Sequence, residues 1–174
     1  MTNKLSDNPR NRAIELLKRL NLRTAPIAVD RIAKFLGAQL RFSPLDEELS
    51  GMIFIKEGIP IIGVNSLHHP HRQRFTIAHE LGHLELHREL ISNEVHVDKQ
   101  FRVLMRDGVS ASGTDKIEVE ANQYAAELLI PTFLLEQFLE NKRFDIDDDS
   151  PLDELAKKFR VSKQTMQYRV INLK

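Results

Sequence analysis

Apolar residues follow two periodicities along the chain, and the change between them separates helices from strands. Ile14, Leu17 and Leu20 recur at helical spacing between Asn11 and Leu20, and Val29, Ile32, Ala33 and Leu36 repeat the pattern before Gly37 ends it. Three runs rich in β-branched and aromatic residues follow: Gln39 to Phe42, Gly51 to Lys56 and Ile59 to Val64. Glu57-Gly58 between the last two predicts a tight hairpin turn. The expectation is two short helices leading into a small antiparallel sheet.

Helical periodicity returns after His68-His69-Pro70. From His71 to Ile91 the residues Phe75, Ala78, Leu81, Leu84 and Leu86 mark a long helix, interrupted internally by Gly82 alone. Ser92 to Asp115 mixes charge, Gly and Ser around a little apolar pattern at Phe101, Val103 and Leu104, and predicts no definite element. Lys116 to Ile130 is helical again until Pro131, and Thr132 to Glu140 forms another short helix. Asp145 to Pro151, with Asp147-Asp148-Asp149, reads as a solvated linker. It divides a main domain, residues 1–144, from an extension, residues 145–174, that holds a helical pair, Leu152 to Phe159 and Ser162 to Leu173.

Composition narrows the function. The 174 residues suit one domain with a small appendage, and 41% hydrophobic with 29% charged residues is the balance of a globular protein. Twenty-five basic residues offset twenty-five acidic ones, so no global field recruits nucleic acid or an anionic membrane. There is no cysteine, which excludes disulfides and thiolate sites and leaves imidazole and carboxylate as metal ligands. Met1 to Arg12 is polar, without the apolar core of a signal peptide, and no apolar run approaches the ~20 residues of a membrane span. Residence in the cytoplasm is expected.

The candidate chemistry lies in His79-Glu80-Leu81-Gly82-His83. Two histidines four residues apart on a helix project from one face about one turn apart and can share one tetrahedral ion. Glu80, beside the first of them, cannot reach that ion in ordinary helical geometry but can take a proton from a water at the metal. Gly82 costs about 1 kcal/mol against Ala in a helix interior, which makes sense where something must approach the backbone closely.

For a third ligand, the helix around Ala121, Ala125, Leu128 and Leu129 presents Glu118 on its apolar stripe, where a carboxylate must be paired or metal-bound. Glu120 and Glu127 fall on a flank with Tyr124 and read as solvated. Asn122, one turn after Glu118, is placed to hydrogen-bond a ligating side chain. His87 continues the row from His83 and is the alternative ligand, although a further turn carries it away from an ion centred on the first two. His68, His69 and His71 read as loop histidines or a second cluster, and His96 or Tyr124 as a donor to the transition state.

Arg74 to His83 together with Glu118-Val119-Glu120-Ala121-Asn122-Gln123-Tyr124-Ala125-Ala126-Glu127-Leu128-Leu129-Ile130-Pro131 closely resembles the ImmA/IrrE family of metallopeptidases over about residues 25–173. The resemblance implies zinc held by His79, His83 and Glu118, with Glu80 as general base, as in gluzincin-like enzymes with an HExxH motif. It also implies a protein substrate, a cognate DNA-binding repressor encoded nearby, in the setting of phage or mobile-element regulation.

The extension resembles a helix-turn-helix with Ser162 as N-cap of its second helix, and Arg160 stands where such turns prefer Gly. Lys163, Gln164, Gln167 and Arg169 would face DNA; the neutral overall charge instead favours two helices that simply pack against the main domain. The expected architecture is α+β: a small antiparallel sheet packed on the HExxH helix and a glutamate helix, with a helical extension. The expected reaction is amide hydrolysis, with a peptide added to Gly51–Lys56 as an edge strand. The rival reading is a DNA-associated or partner-binding regulator whose metal site is structural or inactive.

Overall fold

The computed structural model describes residues 8–91, 96–98, 113–140 and 150–173, the backbone alone at 96–98, 113–115 and 150. Helix α1 (Pro9–Arg19) opens at Asn8, whose side chain accepts from the Arg10 and Asn11 amides ahead of Pro9 in the first turn. Helix α2 (Val29–Phe35) stops at Gly37, which takes φ 74° and lets Ala38 N–H return to the Ala33 carbonyl. Strands β1 (Gln39–Ser43), β2 (Gly51–Lys56) and β3 (Ile59–Asn65) follow, as expected. The β2–β3 turn has Glu57 and Gly58 both at positive φ, the geometry that matches a twisted hairpin.

The sheet is mixed rather than antiparallel. Its strand order is β1-β3-β2-β4, with β4 spanning His96–Asp98, and β1 runs parallel to β3 while β2 pairs antiparallel with both β3 and β4. The cause is the segment between β1 and β2, which crosses the end of β3 instead of turning back beside β1. Buried Asn65 at the end of β3 pins it: Nδ2 donates to the carbonyls of Leu45 (3.3 Å), Asp46 (3.1 Å) and Leu49 (2.8 Å), and Oδ1 accepts from Leu45 N–H at 3.2 Å. Local patterning gives strands but not the side on which each pairs. The same order makes β2 an interior strand over Gly51–Ile53, where β4 covers it, so among the described residues the expected edge position passes to β4.

Helix α3 (Pro70–Leu86) is the central element, buried on every side from Phe75 to Leu84. The sheet lies against one side of it and α5 (Gly113–Leu129) against another, with α1 covering α5. The predicted helix to Ile91 is broken at His87, where the backbone leaves helical geometry before the short α4 (Arg88–Ile91). Ile53, Ile62 and Val64 from the sheet, Ala78 and Leu81 from α3, Leu128 and Leu129 from α5 and Leu16 and Leu17 from α1 share one core.

After α6 (Thr132–Leu139), the helical pair α7 (Ser150–Phe159) and α8 (Lys163–Ile171) joins that same core through Leu155, Phe159, Val161 and Met166. Ser162 caps α8 as expected, its Oγ accepting from Thr165 N–H at 3.1 Å. Arg160 takes φ 53°, the conformation usually left to Gly, while Val161 N–H reaches the Ala156 carbonyl. Arg74 of α3 donates from Nε to the Arg160 carbonyl at 3.2 Å and from Nη2 to the Ile27 carbonyl at 2.9 Å, tying the turn to α3.

The strongest tie is a buried ion pair that corrects the reading of Glu127 as solvated. Arg169 of α8 and Glu127 of α5 are 2% and 1% exposed, and Arg169 Nη2 donates to Glu127 Oε2. Arg169 Nη2 also donates to Thr132 Oγ1 at 2.7 Å and Nε to the Ile130 carbonyl at 3.1 Å, while Glu127 Oε1 accepts from Thr132 N–H at 2.8 Å. Burial lowers the Arg169 pKa and the Glu127 carboxylate opposes that shift. Removing one partner of such a pair strands the other charge, so Arg169→Met is expected to destabilise the chain by about 3–5 kcal/mol in urea denaturation. Arg169→Met with Glu127→Leu is expected to recover much of that loss.

Candidate metal centre

The site is assembled at a tight helix contact that leaves little room for a side chain. At Gly82 an added Cβ would stand 3.1 Å from both Cα and O of Ala121 and 3.2 Å from Tyr124 Cδ1, so α3 and α5 meet backbone to backbone there. The glycine defect read from the sequence has its reason in this approach. Across it, Glu118 of α5 comes level with His79 and His83 of α3.

His79 and His83 are each 1% exposed, and their Nε2 atoms lie 3.0 Å apart. Glu118 Oε2 is 3.2 Å from His79 Nε2 and Glu118 Oε1 is 3.3 Å from His83 Nε2. Among the described residues this is the one cluster of three or more His, Cys, Asp or Glu able to hold an ion. A tetrahedral zinc with bonds of about 2.0–2.1 Å places its ligand atoms about 3.3 Å apart, and the three separations match that edge. The donor set also fits: two imidazoles and a carboxylate, with no thiolate, leave a fourth position open.

Hydrogen bonds on the far side of the rings set which nitrogen faces the triangle. His79 Nδ1–H donates to Asn122 Oδ1 at 2.9 Å, leaving Nε2 with its lone pair toward Glu118, as the position of Asn122 predicted. On His83, Nδ1 lies 3.1 Å from His87 Nδ1, and His87 Nε2 lies 2.9 Å from Glu120 Oε2. His87 therefore stands behind His83 and outside the triangle, because α3 ends at Leu86 and the ring turns back onto its neighbour. Glu120, read as solvated, is only 28% exposed and paired with His87.

Glu80 is fully buried on the sheet side of α3. A Cβ on Gly51 at the start of β2 would lie 3.4 Å from Glu80 Oε1, 2.9 Å from the Gly63 carbonyl and in collision with Thr76 Cγ2. Only a glycine lets β2 pass so near the carboxylate. One turn before Thr76, Arg72 Nη2 donates to Ser50 Oγ at 2.9 Å, fixing the residue that leads into β2.

Tyr124 is fully buried in the core, and burial together with the Glu85 carboxylate pushes its phenol above the ordinary pKa. A hydroxyl enclosed in this way has no path to a substrate, and the flank reading of Tyr124 is corrected. The His96 side chain lies outside the described residues. His68, His69 and His71 form the turn into α3: His69 Nδ1 accepts from His71 N–H at 3.2 Å, and the His68 ring reaches the Glu47 carbonyl at 3.2 Å.

The profile of the IrrE N-terminal-like domain, peptidase family M78, matches residues 33–170, which includes α3, α5 and the helical tail. The chain belongs to the ImmA/IrrE family. A relative from Bacillus phage phi105, described as an uncharacterized immunity region protein 2, is 32% identical to this ImmA/IrrE domain over 104 residues. That alignment spans 60% of the chain and only 58% of the phage protein. A solved Mycobacterium tuberculosis transcriptional regulator superposes with a TM-score of 0.62 over 94% of the chain and 46% of its own length. At 20% identity this likeness concerns the fold alone.

Because the α3–α5 approach at Gly82 is backbone to backbone, a methyl group there needs its neighbours on α5 to give by a few tenths of an ångström. Gly82→Ala is expected to weaken zinc binding at least tenfold and to cost about 1–3 kcal/mol of stability, the range for overpacking, despite its better helix propensity. Zinc titration with thermal unfolding of the metal-free protein checks both; unchanged affinity would show that the approach does not build the site.

Proposed function

We propose that the chain is a zinc-dependent endopeptidase that cuts a specific protein in the cytoplasm, a cognate DNA-binding repressor. The observation that carries the reading is the convergence of His79 Nε2, His83 Nε2 and the Glu118 carboxylate within 3.3 Å of one another, with Glu80 on the same helix. Membership of a peptidase family supports hydrolysis, and the immunity-region relative supports a repressor as substrate.

In this reading His79, His83 and Glu118 hold the ion. The chemistry that zinc supplies when bound is Lewis acidity, which polarises an amide carbonyl and makes water acidic enough to attack near neutral pH. Glu80 takes the proton of the attacking water and delivers it to the leaving amine nitrogen. Its burial against the Gly51 backbone keeps the carboxylate in one place and excludes bulk water from it. Asn122 holds the His79 ring in its metal-ready tautomer. The β4 edge is the strand to which an extended peptide adds.

The rival reading, a DNA-associated regulator working through the tail, loses one of its four candidate contacts outright. Arg169 is buried on Glu127, whereas Lys163 Nζ makes only an exposed pair with Asp153 Oδ2 at 3.3 Å. Gln164 and Gln167 stay exposed but carry no charge for phosphates.

Glu80→Gln is expected to bind one zinc per chain as tightly as the parent and to lower cleavage of the cognate repressor by a factor of about 10³ or more, the scale of losing a general base with its electrostatic partner role. Glu118→Ala is expected to lose stoichiometric zinc. Cleavage by Glu80→Gln at the parental rate would remove the enzyme reading, and retention of full zinc by Glu118→Ala would remove the ligand assignment.

A further inference from the structure

We propose that His87 and Glu120 form a relay that positions His83 for the metal, so that the ion's grip depends on a pair of residues that never touch it. The inference rests on the zinc reading of the triangle and extends it to the far side of the second histidine. Two distances carry it: 3.1 Å between His83 Nδ1 and His87 Nδ1, and 2.9 Å between His87 Nε2 and Glu120 Oε2.

Proton bookkeeping along this row allows one neutral arrangement with every contact attractive. A carboxylate oxygen only accepts, so His87 Nε2 carries the proton and donates to Glu120. Neutral His87 then has a lone pair on Nδ1, and His83 Nδ1–H donates to it. That leaves His83 Nε2 unprotonated and aimed at Glu118, the same state that Asn122 imposes on His79. The two ligands are thus fixed by different devices, an amide oxygen for the first and a histidine–carboxylate pair for the second.

The local structure serves this arrangement. Were α3 to continue, His87 would stand a full turn beyond His83; instead the backbone leaves the helix at His87 and its 8%-exposed ring folds against His83, centroids 5.3 Å apart. Glu120 lies two residues after Glu118, on a different face of α5, so one helix supplies the triangle's carboxylate and the relay's carboxylate to successive histidines of the other. The second Glu120 oxygen faces Lys116 Nζ at 3.7 Å, on the solvent side. The hydrogen bond from His83 Nδ1–H to His87, itself held by the Glu120 carboxylate, fixes the plane of the His83 ring.

The test is zinc affinity of the full chain, read by competition with a chromophoric chelator and independent of catalysis. His87→Leu removes both relay contacts and is expected to weaken zinc binding about 10–100-fold while one ion per chain still binds at saturation. His87→Gln retains an acceptor for His83 Nδ1–H and a donor for Glu120, and is expected to stay within about threefold of the parent. Glu120→Ala, at a partly exposed position that leaves the core untouched, is expected to weaken binding about tenfold and to shift the visible spectrum of the cobalt-substituted protein. Affinity in His87→Leu and Glu120→Ala within threefold of the parent would overturn the relay, as would His87→Gln behaving like His87→Leu. His83→Leu separates the two levels: if it binds zinc like the parent, the triangle itself is wrong and the relay falls with it; if it alone loses zinc, only the relay is wrong.

Discussion

The packing of α3 on α5 holds two imidazole nitrogens and a carboxylate about 3 Å apart in a largely buried site, a proximity that needs a proton or a metal cation shared among them. Gly82 sits at the closest approach of the two backbones, the approach that brings Glu118 to face both histidines. The free energy that offsets this crowding comes from the apolar stripes above and below it, Ala78 and Leu81 on α3 against Ala125, Leu128 and Leu129 on α5. The core therefore acts as the clamp for the site. Hydrogen bonds from the rings outward, to Asn122 and to His87, then decide which atoms the clamp presents.

The second half of α5 has a different task. Glu127, nine residues after Glu118, anchors the chain's last described helix through Arg169 and caps the start of α6 through Thr132. Arg74 of α3 holds the turn between α7 and α8 from the other side. Both helices that build the site are thus braced by the C-terminal pair, which explains why helices shaped like a DNA-reading motif can bury the arginine that such a motif would expose. The packing reading accounts for these contacts without any nucleic acid.

Legibility in the sequence followed the range of the forces involved. Elements governed by local pattern were readable: the hairpin at Glu57-Gly58, the N-cap at Ser162, the helix around His79 and the inward phase of Glu118. Gly82 was readable as a defect needing a reason, though not as a contact with Ala121. What the pattern missed were polar residues satisfied by distant partners. Glu120 and Glu127 look solvated on a helical projection because the groups that pair with them, His87 and Arg169, are 33 and 42 residues away in the chain. The parallel β1–β3 pairing was hidden for the same reason, since it depends on Asn65 gripping a loop about twenty residues before it. In each case one side chain meets a group that no periodicity points to.

The central claim is that one ion is shared by His79, His83 and Glu118, with His87 behind them. X-ray absorption at the zinc edge of the stoichiometrically loaded protein tests it most directly. The account predicts a four-coordinate shell at about 2.0–2.1 Å with scattering from two imidazoles and the remainder from oxygen. A shell containing three imidazoles, or one of oxygen alone, would contradict it.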